Sequence, residues 1–141
     1  MASLSDARIR DFLSTGTRTG KIAWVAANGA PHVAPIWFVL DGDDLVFNTG
    51  SSTGKGRALA REGRASLVVD DQMPPYSFVK VDGTISLSDD GEEVRRFAAL
   101  IGGRYMGADR AEEYGERNGA PGELLVRLHP KKITAGFDIA D

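Results

Sequence analysis

The chain has 141 residues, 42% of them apolar and 26% charged, with a net charge of −3 and no cysteine. That length suits one domain, expected over 1–141, and the balance is that of an ordinary soluble protein. Disulfides, thiolate metal sites and cysteine nucleophiles are excluded, nothing points to nucleic acid, and no apolar leader or membrane-length run is visible, so a soluble cytoplasmic protein is expected.

Leu4, Ile9, Phe12 and Leu13 recur near helical spacing and predict a first helix, capped by Ser5 and stopped at Ser14–Gly16. Lys21–Ala27 is rich in strand formers and ends at Asn28-Gly29, a strong hairpin signal. His32–Leu40 is therefore expected to return as a second strand paired with the first. Asp41-Gly42-Asp43-Asp44 turns the chain into a third strand, Leu45–Thr49. A loop and a short helix, Ala58–Glu62, lead through Gly63 to a fourth strand, Ala65–Asp70. After Met73-Pro74-Pro75, the segment Tyr76–Ser88 predicts a long fifth strand, in which Gly83 marks a bulge or a close backbone approach. A helix over Glu92–Ile101 and a shorter one around Ala108–Glu116 follow. A glycine-rich loop, Asn118–Gly122, then precedes two closing strand-like pieces, Glu123–His129 and Ile133–Phe137. Early hairpin signals argue for antiparallel pairing over βαβ crossovers. The fold class is mainly β with flanking helices, and so many strands in a short chain are expected to curl into a small barrel.

The stretch richest in chemistry is Asn48-Thr-Gly-Ser-Ser-Thr-Gly-Lys-Gly-Arg57, which holds three glycines, four hydroxyls and two cations between a strand and a helix. Inward-turned backbone N–H groups, a helix dipole and full positive charges together favour an anion such as phosphate. A nucleotide-binding P-loop is rejected, because only three residues separate Gly50 from Gly54 and Gly56 follows Lys55. A different phosphate cradle and a merely flexible helix entry with a solvated basic face both remain open. His32 and His129 lack metal-ligand spacing, and the acidic clusters at Asp41–Asp44, Asp70-Asp71 and Asp89-Asp90 fit turns better than paired-carboxylate catalysis. No nucleophile–base motif is present. Trp37 and Phe38 follow Pro35, which removes a ladder donor. They read either as one core and one interface aromatic, or as part of a strand that lines a planar ring.

His32-Val-Ala-Pro-Ile-Trp-Phe38, Leu45-Val-Phe-Asn-Thr49 and Thr53-Gly-Lys-Gly-Arg57 together closely resemble the pyridoxamine 5'-phosphate oxidase-like split β-barrel superfamily. Arg64-Ala-Ser-Leu-Val-Val69, Phe78–Gly83, Arg104-Tyr-Met-Gly107 and the closing Val126-Arg-Leu…Ile133…Phe137 extend the likeness over residues from about 7 to 138. Within that superfamily the chain is most similar to the branch that uses the deazaflavin coenzyme F420. The resemblance implies a small antiparallel split barrel that forms a homodimer, with cofactor sites at the subunit interface. It implies a ring lying along Val33, Pro35, Ile36, Trp37 and Phe38 and against Asn48 and Thr49. The phosphate is then expected on Ser52, Thr53, Lys55, Gly56 and Arg57, and a partner's Met73, Pro75 and Tyr76 over the ring. Pyridoxamine-phosphate oxidases carry an Arg-Lys pair at the phosphate turn, where Gly54-Lys55 stands here. Arg127-Leu128-His129 echoes only part of their substrate site, so pyridoxamine phosphate is not the expected substrate.

The activity so implied is hydride transfer from reduced deazaflavin to an electron-poor small molecule of quinone, enone or tetrapyrrole type. FMN is the alternative cofactor, and a non-catalytic flavin or deazaflavin carrier is the alternative of another class. Tyr76 and Tyr105 are the candidate proton donors. Arg61, Lys131 and Lys132 are the candidate partners for the acidic tail of coenzyme F420.

Overall fold

Seven strands carry the architecture: β1 (Gly20–Val25), β2 (Pro31–Ile36), β3 (Val39–Asp41), β4 (Asp44–Gly50), β5 (Arg64–Asp71), β6 (Ser77–Ser88) and β7 (Glu123–Gly136). The computed structural model describes residues 2–141; Met1, the first residue of the expected domain, lies outside the described residues. The sheet order is β2-β1-β5-β6-β7-β4-β3, and every pairing is antiparallel. β2 and β3 stand at opposite ends of that order, yet only Trp37 and Phe38 join them. Three Cα steps span at most about 10 Å, so the two edges must meet and the sheet curls into a barrel. The mainly β split-barrel architecture is therefore present, as expected.

That junction also corrects the single second strand expected over His32–Leu40. The Phe38 N–H donates to the Tyr105 hydroxyl at 3.3 Å, and its carbonyl accepts from the Arg104 guanidinium at 2.7 Å. Side chains take over the Phe38 backbone partners that a strand ladder would have supplied, and the chain changes edges there. At the other end, the two closing pieces are one strand. β7 runs through Pro130 because the β6–β7 register shifts beside Asp82 and Gly83, which leaves Lys131 unpaired in the ladder. Proline is tolerated at such a bulge. Gly83 is the close approach the sequence suggested, since a Cβ there would lie 2.2 Å from the His129 carbonyl oxygen.

Four α-helices flank the barrel among the described residues. α1 (Ala7–Ser14) is capped by Asp6, whose carboxylate accepts from the Arg8 N–H, in place of the expected Ser5. α2 (Gly54–Glu62) begins four residues before the predicted start, capped by Thr53 and closed by Gly63 at φ +67°. α3 (Gly91–Met106) starts on Asp90, which accepts from the Glu92 and Glu93 N–H groups. It continues past Gly102-Gly103, where the sequence suggested a stop, because bare Gly102 lets α4 (Ala111–Asn118) press against it. A Cβ on Gly102 would sit 2.2 Å from the Tyr114 Cβ. A single 3₁₀ turn, Ala108–Arg110, links the two helices.

The barrel interior is filled by Ile22, Phe38, Leu45, Phe47, Leu59, Leu67, Val69, Val79, Val81 and Leu128. Each such side chain stabilises the fold by roughly 1.5–3 kcal/mol on burial. A second cluster of Val46, Val94, Phe97 and Leu125 fastens α3 to the outside of β4 and β7. No described helix is long and apolar enough to cross a membrane.

Candidate functional site

The barrel rim where β2 ends, β4 ends and α2 begins opens into a cleft of about 680 Å³. That volume lies in the range of small-molecule and cofactor sites. Its floor and walls come from Pro35, Ile36 and Trp37 at the β2 end, and from Asn48, Thr49 and Gly50 on β4. Thr53 and Lys55 of the α2 entry, Thr19, Trp24, Ile101, Asn118 and Glu123 complete it.

The α2 entry is held by its own hydroxyl. The Thr53 Oγ1 donates to the Gly50 carbonyl at 2.8 Å and accepts the Gly56 N–H at 3.0 Å. Gly56 is indispensable to this turn, because a Cβ there would stand 2.2 Å from the Gly50 carbonyl oxygen. The Ser51 N–H donates to the Gly122 carbonyl at 2.9 Å and so fixes the turn to the start of β7. The first helical turn contains Lys55 and Arg57 and no acidic residue, the reverse of what the macrodipole favours. Arg57 is exposed and its guanidinium caps the Ser52 carbonyl at 2.8 Å. Lys55 is half-buried and makes no ion pair within 4 Å among the described residues. Burial lowers its pKa from the ordinary lysine value, and Glu123 partly opposes that. Burial likewise raises the Glu123 pKa, with Lys55 opposing it. A desolvated cation at a helix N-terminus is a costly arrangement for which a bound anion would compensate.

The aromatic wall is equally defined. The Trp37 indole stacks on Tyr105 with centroids 5.3 Å apart and planes 4° apart, and meets the edge of Tyr114 at 5.7 Å. Trp24 stacks on His32 at 5.6 Å. Asn48 is anchored by its amide, which donates to the Val94 carbonyl at 3.4 Å.

Of the residues singled out in the sequence, Pro35, Ile36, Trp37, Asn48, Thr49, Thr53 and Lys55 meet in this cleft. Phe38 does not. It is fully buried in the barrel core, so the core reading applies to it and the lining reading to Trp37. Val33, two residues before Pro35 on β2, is 67% exposed and is not part of the cleft lining. Ser52 and Arg57 sit on the outside of the α2 entry, and Gly56 is the buried contact beneath it. Met73 and Tyr76 are exposed and, with Pro75, lie apart from the cleft lining of their own chain. Tyr105 cannot serve as a free proton donor. Its hydroxyl donates to the Arg18 carbonyl at 2.8 Å while accepting from Phe38, and burial raises its pKa. Lys131 and Lys132 line a separate depression beside Ala2–Ser5, and Arg61 is paired with Glu62 and the Val25 carbonyl. Arg127 is enclosed by Asp41, Asp44 and Glu93, and His129 lies between Asp44 and Ser86. These strand-end groups are thus already partnered.

Thr19, Trp24, Gly50, Ile101, Asn118 and Glu123 line the cleft without having been singled out as site residues. Glu123 had a usable signal, as the first residue of a strand that leaves a glycine-rich loop. Its register partner Gly50 could not be read from the sequence.

Residues 5–135 match the family model described as pyridoxamine 5'-phosphate oxidase. Among solved structures, a conserved hypothetical protein, Rv2991, from Mycobacterium tuberculosis is 22% identical with a TM-score of 0.82, covering 96% of this chain and 84% of its own. A protein described as F420 Reductase is 22% identical with a TM-score of 0.74, over 88% of this chain and 94% of its own. HutZ, a heme storage protein from Vibrio cholerae, is 19% identical with a TM-score of 0.73, over 99% of this chain and 100% of its own. No curated protein matches the sequence.

Proposed function

Since the chain belongs to the pyridoxamine 5'-phosphate oxidase family, we propose that it is a cytoplasmic oxidoreductase that uses coenzyme F420, with FMN as the alternative cofactor. The observation that carries this reading is Lys55, a half-buried cation that has no ion pair among the described residues and lines a cleft of about 680 Å³ walled by Trp24 and Trp37. An anionic tail and a flat aromatic head are what such a site complements. The likeness to a protein described as F420 Reductase favours the deazaflavin over FMN.

When bound, the cofactor would supply hydride chemistry to an electron-poor small molecule. Lys55, Thr53 and the N–H groups of the first α2 turn would hold the phosphate. Trp37, rigid on Tyr105, would fix the plane of the ring against Pro35 and Ile36, and Asn48 and Thr49 would present polar atoms to its edge. The protein's part is then orientation and exclusion of water. A second copy would complete the lid. Val25, Val33, Met73, Tyr76 and Ile139 are large apolar side chains left in solvent on one chain, and a homodimer would bury such groups. Size-exclusion chromatography with light scattering tests that part directly, and a monomer at micromolar concentration would refute it.

Spectroscopic titration of the purified protein with coenzyme F420 and with FMN tests the cofactor. At least one should bind at micromolar concentration, and Lys55→Ala should weaken it about tenfold or more, the worth of one charge-assisted contact. Failure of both cofactors would sink the assignment. Reoxidation of the reduced cofactor by quinones, enones or tetrapyrroles, faster than in a protein-free control, would distinguish a reductase from a carrier.

A further inference from the structure

Glu123 is the one acidic side chain among the cleft-lining residues, and Lys55 is the one basic side chain. Nothing in the proposed cofactor site explains why a carboxylate should face a phosphate cradle. Glu123 stands opposite Gly50 in the β4–β7 ladder, its N–H donates to the Ala120 carbonyl at 3.1 Å, and the preceding Gly122 carbonyl holds the Ser51 N–H. The same backbone hydrogen bonds that shape the α2 entry therefore fix the Glu123 main chain beside it, and the side chain lines the cleft.

We propose that Glu123 sets the charge of the phosphate the cleft accepts, admitting a singly charged phosphodiester and penalising a doubly charged terminal monoester. The inference rests on the reading of the cleft as a phosphate-bearing cofactor site. The lining residues other than Lys55 and Glu123 are uncharged, so their formal charges cancel. What remains is the partial positive charge of the α2 N-terminus, roughly half an elementary charge. One negative charge suits that field, whereas a second meets the carboxylate with no further cation lining the cleft, Arg57 being turned to the Ser52 carbonyl outside it. Terminal phosphate monoesters lose their second proton near pH 6 and are largely dianionic at neutral pH. A phosphodiester has no second proton to lose. FMN carries a monoester and coenzyme F420 a diester, so the cleft's own charge distinguishes two ligands whose flat rings are alike.

The test compares wild type with Glu123→Gln and Glu123→Asp by titration with FMN, riboflavin and coenzyme F420 at neutral pH. Removing the charge in Glu123→Gln should tighten FMN about tenfold, a shift equivalent to one pKa unit of differential interaction. Riboflavin, which has no phosphate, should stay within about twofold, and coenzyme F420, whose phosphodiester carries one charge against two, should tighten by only about threefold, the square root of the FMN change. Glu123→Asp keeps the charge and should keep the discrimination. Unchanged FMN affinity in Glu123→Gln would overturn the proposal while the cofactor assignment stood. Equal tightening of FMN and riboflavin would overturn it too, because the effect would then lie at the ring. If none of the three ligands binds wild type or Glu123→Gln, the cofactor reading falls and this proposal with it. Thermal melts of both variants show that each is folded in the titration.

Discussion

Substituting Gly56 by alanine puts a methyl group between α2 and β4, the two elements that form the phosphate end of the cleft. The new Cβ would lie 2.2 Å from the Gly50 carbonyl oxygen and 3.2 Å from both the Gly50 carbonyl carbon and the Thr53 Oγ1. Ordinary contacts begin near about 3.5 Å. The nearest obstacle is backbone in a paired strand, so no rotamer change relieves it and α2 must back away. Overpacking of this kind costs up to about 3 kcal/mol. Alanine's helix propensity returns about 1 kcal/mol, leaving a net loss of about 2 kcal/mol. For a chain of this size that corresponds to a melting temperature lower by about 6–8 °C. Gly54→Ala is the matched control, two residues earlier, exposed, helical and with nothing within 4 Å of its Cβ position. It should be neutral or raise the melting temperature by a few degrees, about 1 kcal/mol at most. Differential scanning calorimetry of the pair gives the answer. If Gly56→Ala melts at or above wild type, or if Gly54→Ala falls equally, the close-approach argument is wrong. A folded Gly56→Ala protein should also bind cofactor more weakly, since Lys55 rides on the displaced turn.

Tyr105→Phe keeps the stack on Trp37 but strips the Phe38 N–H and the Arg18 carbonyl of their partner; a loss of about 1–3 kcal/mol in denaturant titration is expected. If Tyr105 supplied a proton to substrate instead, turnover would collapse while stability held. Lys55→Met should stabilise the ligand-free protein near neutral pH. The folded pKa of Lys55 lies below 10.5, so the native state binds fewer protons than the unfolded one, and wild-type stability rises with pH between the lowered pKa and 10.5. That rise should be missing from urea melts of Lys55→Met across the alkaline range, and a rise unchanged by the substitution would show that another group causes it. Gly102→Ala should push α4 off α3, because Tyr114 offers its Cβ at 2.2 Å. A loss of about 2 kcal/mol with altered Trp37 fluorescence is expected, and wild-type spectra would count against the Tyr114–Trp37 contact.

The strand content, the hairpin at Asn28-Gly29, the close approach at Gly83 and a helix entered from the glycine- and hydroxyl-rich loop were legible because each is written in local chemistry. What was not legible depends on residues distant in sequence. His32–Leu40 reads as one strand because its alternation does not break, and the break exists only because Arg104 and Tyr105 arrive from α3 to take the Phe38 backbone groups. Phe38 and Trp37 are adjacent and alike in composition, so only the barrel's closure decides which is core and which is cleft wall. Glu123 enters the site through its pairing with Gly50, 73 positions earlier, a relation no local window contains.

The seam at Trp37-Phe38 has a mechanical consequence. Arg104 holds the carbonyls of Leu13, Gly16 and Phe38 at 2.7–3.0 Å, so one guanidinium ties α1, its following loop and the β2–β3 junction to α3. The stave that closes the barrel is thus latched from outside by a helix, and the neighbouring Trp37 ring is also a wall of the cleft. A molecule lodged against that indole braces the latch as well. The Phe38 amide, bonded only to a tyrosine hydroxyl, becomes a built-in reporter. Its hydrogen exchange should slow on ligand binding more than that of amides deep in the β5–β6 ladder, which makes the seam's breathing a measure of occupancy.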